Sequence, residues 1–168
     1  MTNKVIKLVV FDVDGVLTDG RLYLQDDGQE IKAFHTRDGL GLKALMSFGI
    51  EVAIITARSA PLVDRRMSEL GITHYYPGCE DKKVALSDLL ETLDIQPNEV
   101  AYVGDDLVDW PAMHLCGMKC VPADGDAWLQ QQADYVTSAN GGHGAAREVA
   151  EKILADQNLL EAWRNQFL

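Results

Sequence analysis

The sequence predicts an α/β fold: a doubly wound, mainly parallel, Rossmann-like sheet with an inserted β-hairpin flap and no cap domain. Three observations lead there. Apolar strand-like runs alternate with helical patterns, the order of parallel βαβ units. Two of the runs end abruptly in aspartates. One segment breaks the rhythm with a hairpin signal.

Val5–Phe11, Val52–Ile55, Val100–Val103 and Met118–Val121 read as buried strands, because each is a short, nearly continuous apolar run. Helix signals fill the intervals. Asp38 is placed to cap a helix running toward Gly49. Ser59 with Pro61 opens another that stops near Gly71. Lys82–Leu93 is amphipathic and is followed by Pro97, and Asp109 with Pro111 begins a short helix that ends at Gly117. Between the first strand and the first helix, Arg21–Leu24 and Glu30–Phe34 flank an Asp27-Gly28 turn. Alternating side chains around Asp-Gly mark a hairpin, so a flap is expected over about residues 20–34. It exposes Leu22, Leu24, Ile31 and Phe34 with little chain to cover them. No repeat, low-complexity tract or linker divides the 168 residues, and one domain over 1–168 is expected. A tail, about 157–168, carries Leu159, Leu160, Trp163 and Phe167 at roughly helical spacing. That stripe docks either on its own subunit or on a neighbour.

The formal net charge is −11, which disfavours nucleic acid and anionic membrane as partners. No apolar run is long enough to span a bilayer. The start of the chain lacks a signal-peptide layout, and Cys79, Cys116 and Cys120 form neither a disulfide framework nor a metal pattern. A cytoplasmic protein with three reduced thiols is expected.

In open α/β sheets ligands bind at the carboxyl ends of the strands. Four features fall there. Phe11-Asp12-Val13-Asp14-Gly15 places two carboxylates at i and i+2 after an apolar strand. Such carboxylates are costly at a buried strand end unless a cation joins them. Thr56 ends the second strand, just before a helix start that offers backbone donors to an anion. Lys82 opens an amphipathic helix. Gly104-Asp105-Asp106-Leu107-Val108-Asp109 ends a third strand in acids. Asp12, Asp14 and Asp105 together supply hard oxygen ligands suited to Mg²⁺. Asp109 reads as a helix cap, as a support of the acidic cluster, or as both.

The Asp-x-Asp-Gly-Val motif at Asp12, combined with Gly-Asp-Asp-x-x-Asp at Gly104, resembles the haloacid dehalogenase superfamily of phosphatases. The resemblance runs across nearly the whole chain and extends to Phe34-His35-Thr36-Arg37-Asp38-Gly39, Gly71-Ile72-Thr73-His74, Ala133-Asp134-Tyr135-Val136-Thr137 and Gly141-Gly142-His143-Gly144. It implies a capless, Mg²⁺-dependent homotetramer that hydrolyses a phosphorylated sugar acid. The implied substrate is 3-deoxy-D-manno-octulosonate 8-phosphate, on the route to lipopolysaccharide; the alternative is the 9-phosphate of a sialic-acid-like sugar. Asp12 is then the nucleophile that forms an aspartyl-phosphate, and Asp14 the general acid and base. The metal is held by the Asp12 carboxylate, the Asp14 backbone carbonyl and the Asp105 carboxylate. Thr56 and Lys82 bind phosphate, while Asp106 and Asp109 act through water or as supports. Three places depart from the pattern: Ala57 stands where glycine is usual, His143 where arginine is common, and the tail after Asp156 differs.

Arg37, Arg58 and Arg66 are candidates for the sugar carboxylate, since a guanidinium matches carboxylate geometry. Only 43 residues separate Asp12 from Thr56 and 25 separate Thr56 from Lys82. Neither gap has room for a sizeable cap, so a neighbouring subunit is expected to wall the site. A signalling receiver domain is the rival from another class, but it needs a phosphoacceptor aspartate on its third strand. The strand ending at Tyr75-Tyr76-Pro77 offers none. The glycines at 39–41 and 141–144 form no dinucleotide fingerprint directly after a strand.

Overall fold

The computed structural model describes residues 5–168. Six parallel strands form the main sheet: β1 (Leu8–Phe11), β4 (Glu51–Ile55), β5 (His74–Tyr76), β6 (Val100–Val103), β7 (Met118–Val121) and β8 (Tyr135–Val136). Their order is β5-β4-β1-β6-β7-β8. β1 is central, with Val9 paired to Val52 of β4 on one side and to Ala101 of β6 on the other. The chain moves outward from β1 first in one direction and then in the other. The crevice where the order reverses therefore lies at the carboxyl ends of β1, β4 and β6.

Helices cover both faces. Val9 and Phe11 point into a core shared with α1 (Thr36–Ser47), α2 (Pro61–Leu70), α6 (Ala145–Asp156) and Trp163 of α7 (Leu160–Arg164). Leu8 and Val10 point the other way, into a core with α3 (Lys82–Leu93), α4 (Trp110–Met113) and α5 (Ala127–Gln132). Burial on both faces explains why β1 reads as an unbroken apolar run and does not alternate. All four of its side chains are fully buried, each worth about 1.5–3 kcal/mol.

Most predicted elements recur with small shifts. The first strand begins at Leu8, not Val5, although Lys7 still donates to the Glu99 carbonyl and accepts from Glu51. Gly71 ends α2 in the left-handed conformation, but Ala60, not Ser59, occupies the cap position and makes no side-chain bond. Asp38 does not cap α1. His35 does, its Nδ1 accepting from the Arg37 N–H at 3.1 Å. The helix starts at Thr36, which puts Asp38 in the first turn, where it is buried and accepts from the Arg147 N–H at the start of α6, at 2.9 Å. Asp38 therefore ties two helices together.

The flap is shorter than its sequence suggests. Only Tyr23–Leu24 (β2) pairs with Glu30–Ile31 (β3), around the turn at Gly28. Leu22, Leu24 and Ile31 are 51%, 70% and 50% exposed. Phe34 differs from them: it packs on the core beneath Arg66. No cap intervenes among these elements. The hairpin, α1 and β4 fill the interval from Asp12 to Thr56, and α2 with β5 fills that from Thr56 to Lys82.

The C-terminal stripe folds back on its own chain. Trp163 is 4% exposed, joins the first core, and carries the Arg147 guanidinium 4.4 Å from its ring centre. Phe167 meets Trp163 edge-on but remains largely exposed. Trp163→Ala should lower stability by about 3–5 kcal/mol, the range for emptying a large buried aromatic side chain. Urea unfolding checks this; an unchanged midpoint would show that the tail contributes nothing to the core.

Candidate active site

An open cavity of about 270 Å³ lies at the carboxyl ends of β1, β4 and β6. Asp12, Asp14, Thr56, Arg58, Lys82, Asp105 and Asp106 all line it. Four separate segments of sequence meet there because parallel strands deliver their following loops to one edge of the sheet.

Asp12 follows β1 directly. Its N–H donates to the Val103 carbonyl at 3.0 Å, which holds the backbone in sheet register one residue beyond the strand. Its Oδ1 accepts from the Val13 N–H at 2.7 Å, and its Oδ2 lies 3.0 Å from Lys82 Nζ. The turn that follows needs glycine: Gly15 has φ +89°, and a Cβ there would fall onto the Asp105 carboxylate. The first loop thus presses against the third.

Lys82 is the first residue of α3, where Asp81 caps the helix. Its side chain is 2% exposed and runs inward to Asp12 and, at 2.7 Å, to Asp109 Oδ1. Burial disfavours its charge, but Asp109 and Asp12 outweigh that and hold the ammonium above its ordinary pKa. Asp109 is completely buried. Its Oδ1 also accepts from the Tyr102 hydroxyl at 3.2 Å, and its Oδ2 from the Asp105 and Asp106 N–H groups at 3.1 and 3.4 Å. A side chain at position 104 would collide with Asp109, so Gly104 is what lets the carboxylate tuck under the loop. Asp109 stands at the cap position before α4 but makes no side-chain bond to that helix; its carboxylate instead braces the β6 loop and orients Lys82. Asp106 accepts from the Leu107 N–H at 2.7 Å and is exposed.

One carboxylate oxygen from each of Asp12, Asp105 and Asp109 lies within 4.8 Å of the others. Burial first, then repulsion from Asp109, pushes Asp12 to about 7 despite Lys82. Burial with repulsion from Asp109 and Asp12 pushes Asp105 to about 8. Buried carboxylates facing a single lysine are a deficit of positive charge, and hard oxygen donors fit Mg²⁺. Asp109 is already committed to four donors, which leaves the Asp12 and Asp105 oxygens for an ion.

The three arginines part company. Arg58 lines the cavity, whereas Arg37 and Arg66 do not. Arg37 is exposed in the first turn of α1. Arg66 stacks on Phe34, 5.9 Å from the ring centre, and packs against Gly39. The structure also brings in a residue that sequence patterning missed. Lys32, one residue past β3, is buried and paired with Asp14. A lysine beside a short exposed strand carries no signal of burial in sequence.

The fold and this edge of the sheet define a haloacid-dehalogenase type of hydrolase. The sequence pattern of the haloacid dehalogenase-like hydrolase family matches residues 40–117. The chain is 50% identical over 161 residues to the 3-deoxy-D-manno-octulosonate 8-phosphate phosphatase of Escherichia coli strain K12, covering 96% of this chain and 86% of that one. The crystal structure of the phosphatase of that name from Moraxella catarrhalis, in complex with magnesium, phosphate and KDO, superposes with TM-score 0.95 at 45% identity, over 99% of this chain and 95% of that one. The Yersinia pestis phosphatase of the same name gives 0.92 at 49% identity, over 95% and 86%. The chain belongs to the haloacid dehalogenase-like hydrolases, in the family of 3-deoxy-D-manno-octulosonate 8-phosphate phosphatases.

The raised carboxyls predict a pH signature. Asp12 and Asp105 hold protons in the folded state up to about 7 and 8, against 3.8 ordinarily. Between about pH 4 and 8 the folded protein thus binds more protons than the unfolded chain, and their contribution to stability falls as pH rises. The melting temperature in EDTA should drop from about pH 6 to about pH 8.5, and Mg²⁺ should raise it more at the higher pH, where the carboxylates are already ionised. An equal Mg²⁺ effect at both pH values would show that this pair does not gather the ion.

Proposed function

We propose that this chain is a Mg²⁺-dependent phosphomonoesterase that hydrolyses 3-deoxy-D-manno-octulosonate 8-phosphate to KDO and phosphate, in lipopolysaccharide synthesis. The observation that carries the reading is the pair Asp12 and Asp14 facing one cavity with Thr56, Lys82 and Asp105 around it.

Asp12 attacks phosphorus through a carboxylate oxygen. The new P–O bond forms as the bond to the sugar oxygen breaks, and Asp14 delivers a proton to that departing oxygen. Water then attacks the aspartyl-phosphate, Asp14 takes its proton, and Asp12 is released with inorganic phosphate. Thr56 and Lys82 hold the phosphoryl oxygens; Lys82 opposes the repulsion between the attacking carboxylate and the phosphate. Asp109 keeps Lys82 aimed at Asp12. The Asp12 carboxylate, the Asp14 main-chain carbonyl and the Asp105 carboxylate would hold Mg²⁺. When bound, the ion supplies further neutralisation of charge between nucleophile and phosphate. Arg58, which lines the cavity, suits the sugar carboxylate; Arg37 and Arg66 do not line it.

The single domain 1–168 works as a homotetramer in the cytoplasm. Support for assembly comes from the flap, whose Leu22, Leu24 and Ile31 remain uncovered on a hairpin too short to be stable alone. A capless site also gains from a neighbour that excludes water. Among the described residues no helix is long and apolar enough to cross a membrane.

Asp12→Asn should keep the fold and lower turnover by at least about a thousandfold, as loss of a nucleophile does. Comparable activity in the purified variant would end the aspartyl-phosphate route. EDTA should abolish activity and Mg²⁺ restore it, whereas Ca²⁺ should support little turnover because its looser, larger coordination misplaces the carboxylate. Light scattering on Leu22→Asp with Ile31→Asp tests assembly. The substituted protein should dissociate and lose activity on the sugar acid while still cleaving a small aryl phosphate; a fully active wild-type monomer would overturn the tetramer.

A further inference from the structure

Lys32 is an expensive residue to place where it is. Its side chain is 2% exposed, and a buried ammonium persists only when paired. Its partners are Asp14 Oδ1, in a short ion pair, and Glu30 Oε1 at 3.0 Å. Glu30 in turn holds Arg58 Nη2 at 2.8 Å through its other oxygen, and Arg58 Nε lies 4.0 Å from Asp14 Oδ2. Asp14, Lys32, Glu30 and Arg58 thus close a ring of alternating charge. Two members come from the flap, one from the loop after β1 and one from the loop after β4.

The two aspartates of the motif are held differently. Asp12 is fixed from within the sheet edge, by the Val13 N–H and Lys82. Asp14 is half-buried, and its carboxylate takes its hydrogen bond from Lys32, with Arg58 at longer range. A group that passes a proton must stay within hydrogen-bond reach of the reacting oxygen, and its rotamer must be locked by its neighbours. For Asp14 that lock comes from the flap. Lys32 does not line the cavity, so it has no direct hold on the phosphate.

We propose that Lys32 is a positioning residue: it fixes the Asp14 carboxylate for proton transfer to the departing oxygen, and so makes the chemistry depend on the seating of the flap. The proposal rests on Asp14 acting as the general acid. It predicts a dependence on leaving group. An alkyl phosphate, such as a sugar-acid phosphate, departs as a strongly basic alkoxide and needs the proton. A nitrophenyl phosphate departs as a weakly basic phenolate and needs it far less.

The test is single-turnover release of the alcohol or phenol from the Mg²⁺-loaded enzyme, which isolates transfer to Asp12 from the later hydrolysis. Lys32→Met should slow release from the alkyl phosphate about tenfold or more, and at least about fivefold more than from nitrophenyl phosphate, a part of the ~10²–10⁴ that general acid catalysis supplies. Asp14→Asn should show the same selectivity, and more strongly. Equal losses on both substrates in Lys32→Met, or no loss, beside a selective Asp14→Asn would overturn the role of Lys32 alone. If Asp14→Asn shows no selectivity, the general-acid reading of Asp14 fails and takes the proposal with it. Should Lys32→Met not fold, Glu30→Gln carries the test: it keeps the lysine but weakens its second anchor. A loss confined to the alkyl phosphate supports the proposal, and any other pattern overturns it.

Discussion

The structure turns on one buried ammonium. Lys82 lies 3.0 Å from Asp12 and 2.7 Å from Asp109, with all three side chains out of water. None of them would be tolerable alone in that setting, since removing either sign leaves an uncompensated buried charge. The pairing explains much else. Asp109 must reach under the β6 loop, so position 104 must be glycine. Tyr102 must offer its hydroxyl from a fully buried place in β6. The surplus of negative charge that remains on Asp12 and Asp105 is what a divalent cation would answer.

Sheet topology makes this arrangement possible. β1 is flanked by β4 and β6, so the loops after these three strands open on a common edge, and α3 starts close enough for its first side chain to enter. The loop after β1 is further pinned from behind. Gly142 donates to the Val16 carbonyl at 2.9 Å, and a side chain at Gly141 would strike the Gly15 carbonyl. The 141–144 stretch thus packs directly behind the loop that carries Asp14 and Gly15. His143 turns back to the Gly141 carbonyl within its own loop.

Between Asp12 and α1 this chain places only a two-by-two residue hairpin. Lys32 and Glu30 anchor it by ion pairs to Asp14 and Arg58, while Leu22, Leu24 and Ile31 stay exposed. The flap is thus held to the body of the chain chiefly through the side chains that meet Asp14 and Arg58. Arg58 is not free either: Glu30 already holds it, so an anion entering the cavity would compete with or join that pair.

The sequence by itself determined the order of elements, because apolar runs and turn residues report local burial and local backbone geometry. It also pointed to Asp12, Asp14 and Asp105 as candidates, because charged groups at the ends of apolar strands are costly unless a ligand or a partner answers them; Thr56 and Lys82 stood out through the family resemblance, and the fold brings all five to one cavity. It was less informative wherever a side chain's role depends on distant chain. Asp38 reads as a helix cap, yet it serves the start of α6, more than a hundred residues away. Arg58 and Arg66 are indistinguishable as letters, but one faces the cavity and the other stacks on Phe34. Lys32 carries no signal of burial in the sequence, yet it is buried against Asp14. Trp163 fits either a neighbour or its own core until α6 and α1 supply the surface it fills. Tertiary structure decided these because burial and ion pairing are properties of surfaces brought together by folding, and no local pattern of spacing encodes which surface a long side chain will meet.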